Sequence, residues 1–483
     1  MQMNIGFKSF LPVLLTATFL FAACGDSPQE GAPADTGAAV DTGAPVEDTG
    51  SNEKDADVAD DMGTHDASLP DASVKDAGAD GGEVDAAAVD AGADAGADAG
   101  PDDAGFADAG KPDGGQPPDA GLDAGSPDAG QGSKAPVWIL HISDTHIGEN
   151  TVAAPNDLDA FLTRVLPVVQ PSVTLNTGDL TDSGTVAEFD DYWGHISGRT
   201  AAFPGYIEII GNHDVKTDGV ADFLSTSLTG RAGAGAYGVT YVDGAWGRIG
   251  VVRTNTSDST SNLTNISGYF GATQKDELLA LPASPVPVTH PVLMAHHPYA
   301  ALATLKTDAN MDAVIARYQP QIYFCGHVHT SFISWHGSTL LLQAATLGKV
   351  TGTESHFMLA ALDDDGPAAL EITIDYTRTP VVTWPIVLIT APGDTSLGTA
   401  NPVPKKLGPG QAAVPLRAAA FSPTGVTAVD WRIDSGAWKS MTGPGPVWET
   451  TFTTPSVANS HTIEVRATSA EGTASHTVKV VVQ

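Results

Sequence analysis

Between residues 137 and 325 the chain alternates short, mainly apolar runs with stretches of helical periodicity. The runs 137–142, 173–177, 206–210, 292–295 and 322–325 have the length and bounding turn signals of buried β-strands. Between the first two, Leu158, Phe161, Leu162, Val165 and Leu166 recur at helical spacing behind the capping candidates Asn156 and Asp157. Further amphipathic stretches cover 188–196 and 309–318, the latter stopped by Pro320. Strands that alternate with helices predict an α/β domain, here 135–384.

From 385 to 483 the pattern changes to strands alone. Val429, Trp431 and Ile433 alternate with Asp430 and Arg432; Ile463, Val465 and Ala467 alternate with Glu464 and Arg466. Val478, Val480 and Val482 repeat the period, and Gly/Pro turns separate the runs. Short alternating strands around a central tryptophan resemble an immunoglobulin-like β-sandwich without its inter-sheet disulfide. Trp431 is expected in its core, whereas Trp438 and Trp448 are candidates for packing or for a ligand groove.

The N-terminal third is of another kind. An apolar stretch from Phe10 to Ala23 ends at Ala22-Ala23-Cys24, too short for a comfortable membrane span. It resembles a bacterial lipoprotein signal, with Cys24 as the lipidation site, although Phe21 stands where leucine is usual. That resemblance implies an exported, membrane-anchored protein of the cell envelope. Residues 25–134 are nearly all Asp, Ala, Gly, Pro, Ser and Thr, and hold too little apolar surface for a core. They are expected to form a disordered stalk, reaching on the order of 60 Å as a flexible coil. The formal charge of -35 argues against a nucleic-acid backbone as partner, but this segment carries -23 of it, so the acidity says little about the rest of the chain. With Cys24 lipidated, Cys325 has no partner and is expected to pack as a small buried residue.

Each buried run in the α/β domain leads directly into metal-binding side chains. In chain order these are Asp144-Thr145-His146, Gly178-Asp179, Gly211-Asn212-His213-Asp214, His296-His297 and Gly326-His327-Val328-His329. So many carboxylates and imidazoles brought together would be costly without cations to pair with. Two divalent ions about 3.5–4 Å apart need a bridging carboxylate, with imidazole and oxygen ligands to complete the set.

Asp-x-His, Gly-Asp-x-x-Asp, Gly-Asn-His-Asp, His-His-Pro and Gly-His-x-His, in this order, resemble the calcineurin-like metallophosphoesterase superfamily over 136–375. The resemblance implies a four-layer αββα sandwich and two divalent metal ions, from among Mn, Fe, Zn and Co. It implies Asp144, His146 and His329 around one ion, Asn212, His296 and His327 around the other, and Asp179 bridging both. The family's placement of a ligand directly after the strand favours His296 over His297. It further implies that His213, oriented by Asp182, serves the leaving group. Ser183 stands where the protein-phosphatase branch commonly has Arg, which argues against a phosphoprotein substrate. Ser143, Thr145 and Thr177 are expected to hydrogen-bond within the loops, and Arg253 and Asn255 are candidates for substrate contact.

The function expected is phosphomonoester or phosphodiester hydrolysis by a metal-bridging hydroxide, with 386–483 dispensable for the chemistry unless that module closes over the site. The competing reading is a non-catalytic envelope protein, stabilised by metal, whose sandwich binds polysaccharide or protein. Loss of Asp179, Asn212 or His213 would mark that case, and all three are present. Substrate identity and oligomeric state are not legible in the pattern.

Overall fold

The computed structural model describes residues 136–149, 152–200, 205–217, 219–257, 266–304, 308–348 and 354–483. The signal-like segment, Cys24 and the acidic stalk lie outside them.

Two sheets stack face to face. The first has the order β11-β10-β1-β2-β3, built from β1 (Val137–Ile142), β2 (Val173–Asn176), β3 (Tyr206–Glu208), β10 (Ser355–Asp363) and β11 (Gly366–Ile374). The second has the order β4-β5-β6-β7-β9-β8. Its strands are β4 (Gly238–Gly244), β5 (Gly247–Arg253), β6 (His290–Met294), β7 (Ile322–Cys325), β8 (Phe332–His336) and β9 (Thr339–Gln343). Within each sheet the strands that feed the polar clusters are parallel, so their C-terminal ends share one edge.

The side-chain period of two explains the layering. Val137, Ile139, Val173 and Leu175 point inward and meet Val251, Val292, Met294 and Phe324 of the second sheet. Leu140 and Ile142 point outward under Leu158, Phe161, Val165 and Phe189 of the helices. On the far side, Val252, Leu293 and Tyr323 are covered by Leu278, Leu302, Met311 and Val314 of helical segments. Helix, sheet, sheet and helix are the four layers expected.

The expected caps are corrected. The first helix begins at Ala153, so Asn156 and Asp157 lie inside it. Pro155 falls in the first turn, where its missing N–H costs nothing. Asp157 is buried and accepts instead from Ser355 Oγ at 2.7 Å and the Tyr376 amide at 2.9 Å. The helix Val186–Ile196 does carry a capping box, Thr185 with Glu188.

After β11 come two antiparallel sheets, β12-β13-β16 and β15-β14-β17-β18. They comprise β12 (Ile386–Ala391), β13 (Val414–Phe421), β14 (Val426–Ile433), β15 (Lys439–Ser440), β16 (Val447–Phe452), β17 (Asn459–Ser469) and β18 (Gly472–Val482). Both line one core containing Leu416, Trp431, Val465 and Val480. Trp438 is no open platform, since the Arg432 and Arg466 guanidinium groups lie 4.4 and 4.1 Å from its ring centre. Trp448 packs at the edge of the core.

This strand-only region is not a loosely tethered appendage. Ile386, Leu388, Ala419 and Phe421 are buried in the same cluster as Leu359, Ala361 and Ile372 of the first sheet. Phe421 meets Trp138 edge-on, with ring centroids 5.8 Å apart. Part of the outer layer expected to be helical is therefore made of C-terminal strands. Buried Arg417 pairs with Asp363 and reaches Asp364 across the same seam.

Candidate metal centre

All nine side chains given a metal-binding or leaving-group role in the sequence converge on the shared strand edge. Asp144 and His146 follow β1, Asp179 and Asp182 follow β2, and Asn212 and His213 follow β3. From the second sheet, His296 follows β6, while His327 and His329 follow β7. The site therefore spans the edges of two sheets.

Two groups form around a shared carboxylate. In one, His146 Nε2 lies 3.0 Å from His329 Nε2, and His329 Nε2 lies 3.3 Å from Asp144 Oδ1. In the other, Asn212 Oδ1 lies 2.9 Å from His296 Nε2 and 2.8 Å from His327 Nδ1. Asp179 Oδ2 faces both, at 3.9 Å from His146 and 3.3 Å from His296. Its other oxygen accepts from the His213 amide at 2.7 Å.

Of the adjacent histidines, His296 turns to Asp179 and Asn212, and its Nδ1 donates to Thr177 O at 2.8 Å. With Nδ1 so engaged, Nε2, which faces Asn212 Oδ1 and the Asp179 carboxylate, is the nitrogen a cation would take in place of its proton. His297 instead has Nδ1 2.9 Å from Thr256 Oγ1, although one of its nitrogens stays within 4.8 Å of ligand atoms on His296 and His327. Thr145 bonds to Leu180 O as expected and Thr177 to His141 of β1, whereas the bond expected of Ser143 is not made: its buried Oγ has no hydrogen-bond partner among the described residues. Arg253 does not face a substrate space: it is buried, donating to Gly235 O and Thr240 Oγ1.

The donor set fits divalent cations. Asp144 and Asp179 are fully buried and are matched by imidazoles rather than by Lys or Arg. Burial would raise the Asp144 carboxyl, but His329 and then His296 hold it below the usual range. Burial would likewise lower His296, but the Asp179 carboxylate holds it up at about 9. Protons thus balance a negative charge that a cation would otherwise neutralise. Imidazole nitrogens with carboxylate and amide oxygens are the ligand types of borderline transition metals.

His213 lies beside this pair, its ring centroid 4.6 Å from that of His146. Its Nδ1 is 2.7 Å from the Asp182 main-chain oxygen and 3.3 Å from the Asp182 carboxylate. Burial would lower its pKa, but the Asp182 side chain and then Asp179 raise it overall. Two residues at this edge had no role in the sequence reading. Lys216 Nζ approaches the Asp182 main-chain oxygen at 3.1 Å. Buried Asp214 accepts from the amides of Gly211 at 2.9 Å, Leu180 at 3.2 Å and Thr181 at 2.9 Å. It clamps the Asp179 loop to the Asn212 loop, and only its place as fourth residue of Gly-Asn-His-Asp hinted at this.

The model of the calcineurin-like phosphoesterase family matches residues 137–331. The structure is similar to a dimetal phosphatase from Danio rerio, with 14% identity over 50% of this chain and 99% of that one, and a TM-score of 0.37. It is also similar to GAP50, the anchor in the inner membrane complex of Plasmodium, with 9% identity over 51% of this chain and 87% of that one, and a TM-score of 0.36.

Proposed function

We propose that the chain, whose residues 137–331 match the calcineurin-like phosphoesterase family, is a binuclear metal-dependent phosphoesterase, a hydrolase of phosphoric ester bonds. The observation that carries this reading is Asp179, whose one oxygen faces both ligand groups. Asp144, His146 and His329 would hold one ion, Asn212, His296 and His327 the other, and Asp179 would bridge them. Bound there, two divalent ions would ionise water near neutral pH and neutralise charge on the phosphoryl oxygens.

The remaining work falls to the chain's own residues. Asp182 occupies Nδ1 of His213, so Nε2 is the nitrogen left to protonate the leaving oxygen. Asp214 and the His213 amide fix the loop and the Asp179 carboxylate before substrate arrives.

The test is metal content and hydrolysis of bis(p-nitrophenyl) phosphate and p-nitrophenyl phosphate by the purified chain. About two equivalents of metal are expected, and Asp179→Asn should lose metal and turnover together. His213→Ala should retain the metal while losing on the order of 10²–10⁴ in rate. A metal-free, inert wild-type chain in manganese or zinc buffer would end the reading.

Export and lipid anchoring through Cys24 belong to the same proposal, supported by the apolar stretch ending in Ala22-Ala23-Cys24. Radiolabelled palmitate should enter the wild-type protein and not Cys24→Ala. The C-terminal module would be an immunoglobulin-like sandwich, supported by its two sheets around Trp431.

A further inference from the structure

Asp182 offers two different acceptors, and the structure separates what they serve. The loop bearing His146 and the loop bearing Asp182 are zipped by backbone bonds, His146 N to Asp179 O, Ile147 N to Leu180 O and Asp182 N to Ile147 O, each 3.0 Å. This ladder sets the Asp182 side chain against the His146 ring. His146 Nε2 points at the ligand group, 4.0 Å from Asp144 Oδ1 and 3.0 Å from His329 Nε2. Its Nδ1 is buried and has no conventional hydrogen-bond partner among the described residues. Asp182 Oδ1 stands 3.5 Å from it.

An imidazole that gives its Nε2 lone pair to a metal keeps its proton on Nδ1. Left unpaired in a buried site, that N–H is costly, whereas a carboxylate makes the ring a firmer and better-aimed ligand. His213 needs the carboxylate less, because its Nδ1 has Lys216 Nζ at 2.5 Å and the Asp182 main-chain oxygen at 2.7 Å, both nearer than the carboxylate at 3.3 Å.

We propose that the Asp182 carboxylate is a positioning group for His146, and through it for the first metal ion, while the main-chain oxygen of Asp182 orients His213. The inference rests on the two-ion reading above. It separates two roles that a simple Asp–His pair would merge.

The experiment titrates metal-depleted full-length protein with Mn²⁺ alone, then measures the leaving-group dependence of aryl phosphate hydrolysis at saturating Mn²⁺. Asp182→Ala should weaken one of the two manganese equivalents by about 10–100-fold. Its metal-free circular dichroism should match that of wild type, so that the weakened equivalent is not a failure to fold. Asp182→Asn keeps an oxygen that can accept the N–H and should recover part of the affinity. His213→Ala should bind both equivalents normally and show a steeper leaving-group dependence, while Asp182→Ala keeps the wild-type slope. Normal binding of both equivalents by Asp182→Ala, together with the steep slope of His213→Ala, would overturn the inference alone. A wild-type chain that binds no manganese would overturn the two-ion reading and this inference with it.

Discussion

Five of the seven proposed ligands stand on left-handed backbone: Asp144 (φ 53°), His146 (φ 44°), Asp179 (φ 50°), His327 (φ 74°) and His329 (φ 56°). Each such non-glycine residue costs of order 1 kcal/mol or more and persists only where its surroundings fix it. Here the fixing is visible. The Asp144 amide donates to Gly178 O at 2.9 Å, and the His327 amide to Asp144 Oδ2 at 3.0 Å. Close approach makes the neighbouring glycines necessary. A Cβ on Gly326 would land on Ser143 Oγ and Asp144 Oδ2, and one on Gly211 would land on the Asp179 amide and carboxylate. Gly326→Ala and Gly211→Ala are therefore expected to abolish tight manganese binding, as read by calorimetry, while Gly337→Ala, with open space around it but φ 56°, should bind normally. Residue types were legible in the motifs; the strained conformations were not, because φ follows from contacts between loops.

At the scale of elements, β3 is short and its neighbours are held by a buried polar network. Glu208 accepts from Tyr192 Oη at 2.9 Å and from the Thr229 amide at 3.2 Å, and Tyr192 and Tyr206 share a bond of 2.9 Å. Asn176 donates to Tyr192 Oη at 3.2 Å, tying the network to the strand that launches the Asp179 loop. Burial pushes the Glu208 carboxyl up to about 7 from an unfolded value near 4.5. The native state then holds this proton more tightly than the unfolded chain does. Its contribution is fully present below about pH 4.5 and is lost as pH rises to about 7. Relative to Glu208→Gln, wild-type stability in chelator should fall by a few kcal/mol across that window. Urea melts at pH 4.5, 5.5 and 7 would show it, and a constant difference would contradict it. Glu208 lay inside an apolar run and offered no such signal.

At the scale of the whole molecule, the C-terminal strands close the core of the first sheet, so the expected dispensability of 386–483 gives way to a different prediction. Deletion would uncover Trp138, Leu359 and Ile372, and the truncated chain should aggregate or lose cooperative unfolding in calorimetry. Arg417→Met would leave Asp363 buried without its cation and should cost about 3–5 kcal/mol. Arg432→Met, at the partly exposed pair with Glu464, should cost at most about 1 kcal/mol. Thermal midpoints of the two variants measure the contrast. By itself the sequence determined the strands, the order of the clusters they launch and the kinds of side chain available, because a period of two or 3.6 and a motif are local properties. Only the tertiary structure decided that the site bridges two sheets, that Asp182 faces His146 as well as His213, and that C-terminal strands replace part of a helical layer. Those outcomes rest on contacts such as His146 with His329, 183 residues apart, and no local pattern encodes which nitrogen or which face such a contact will use.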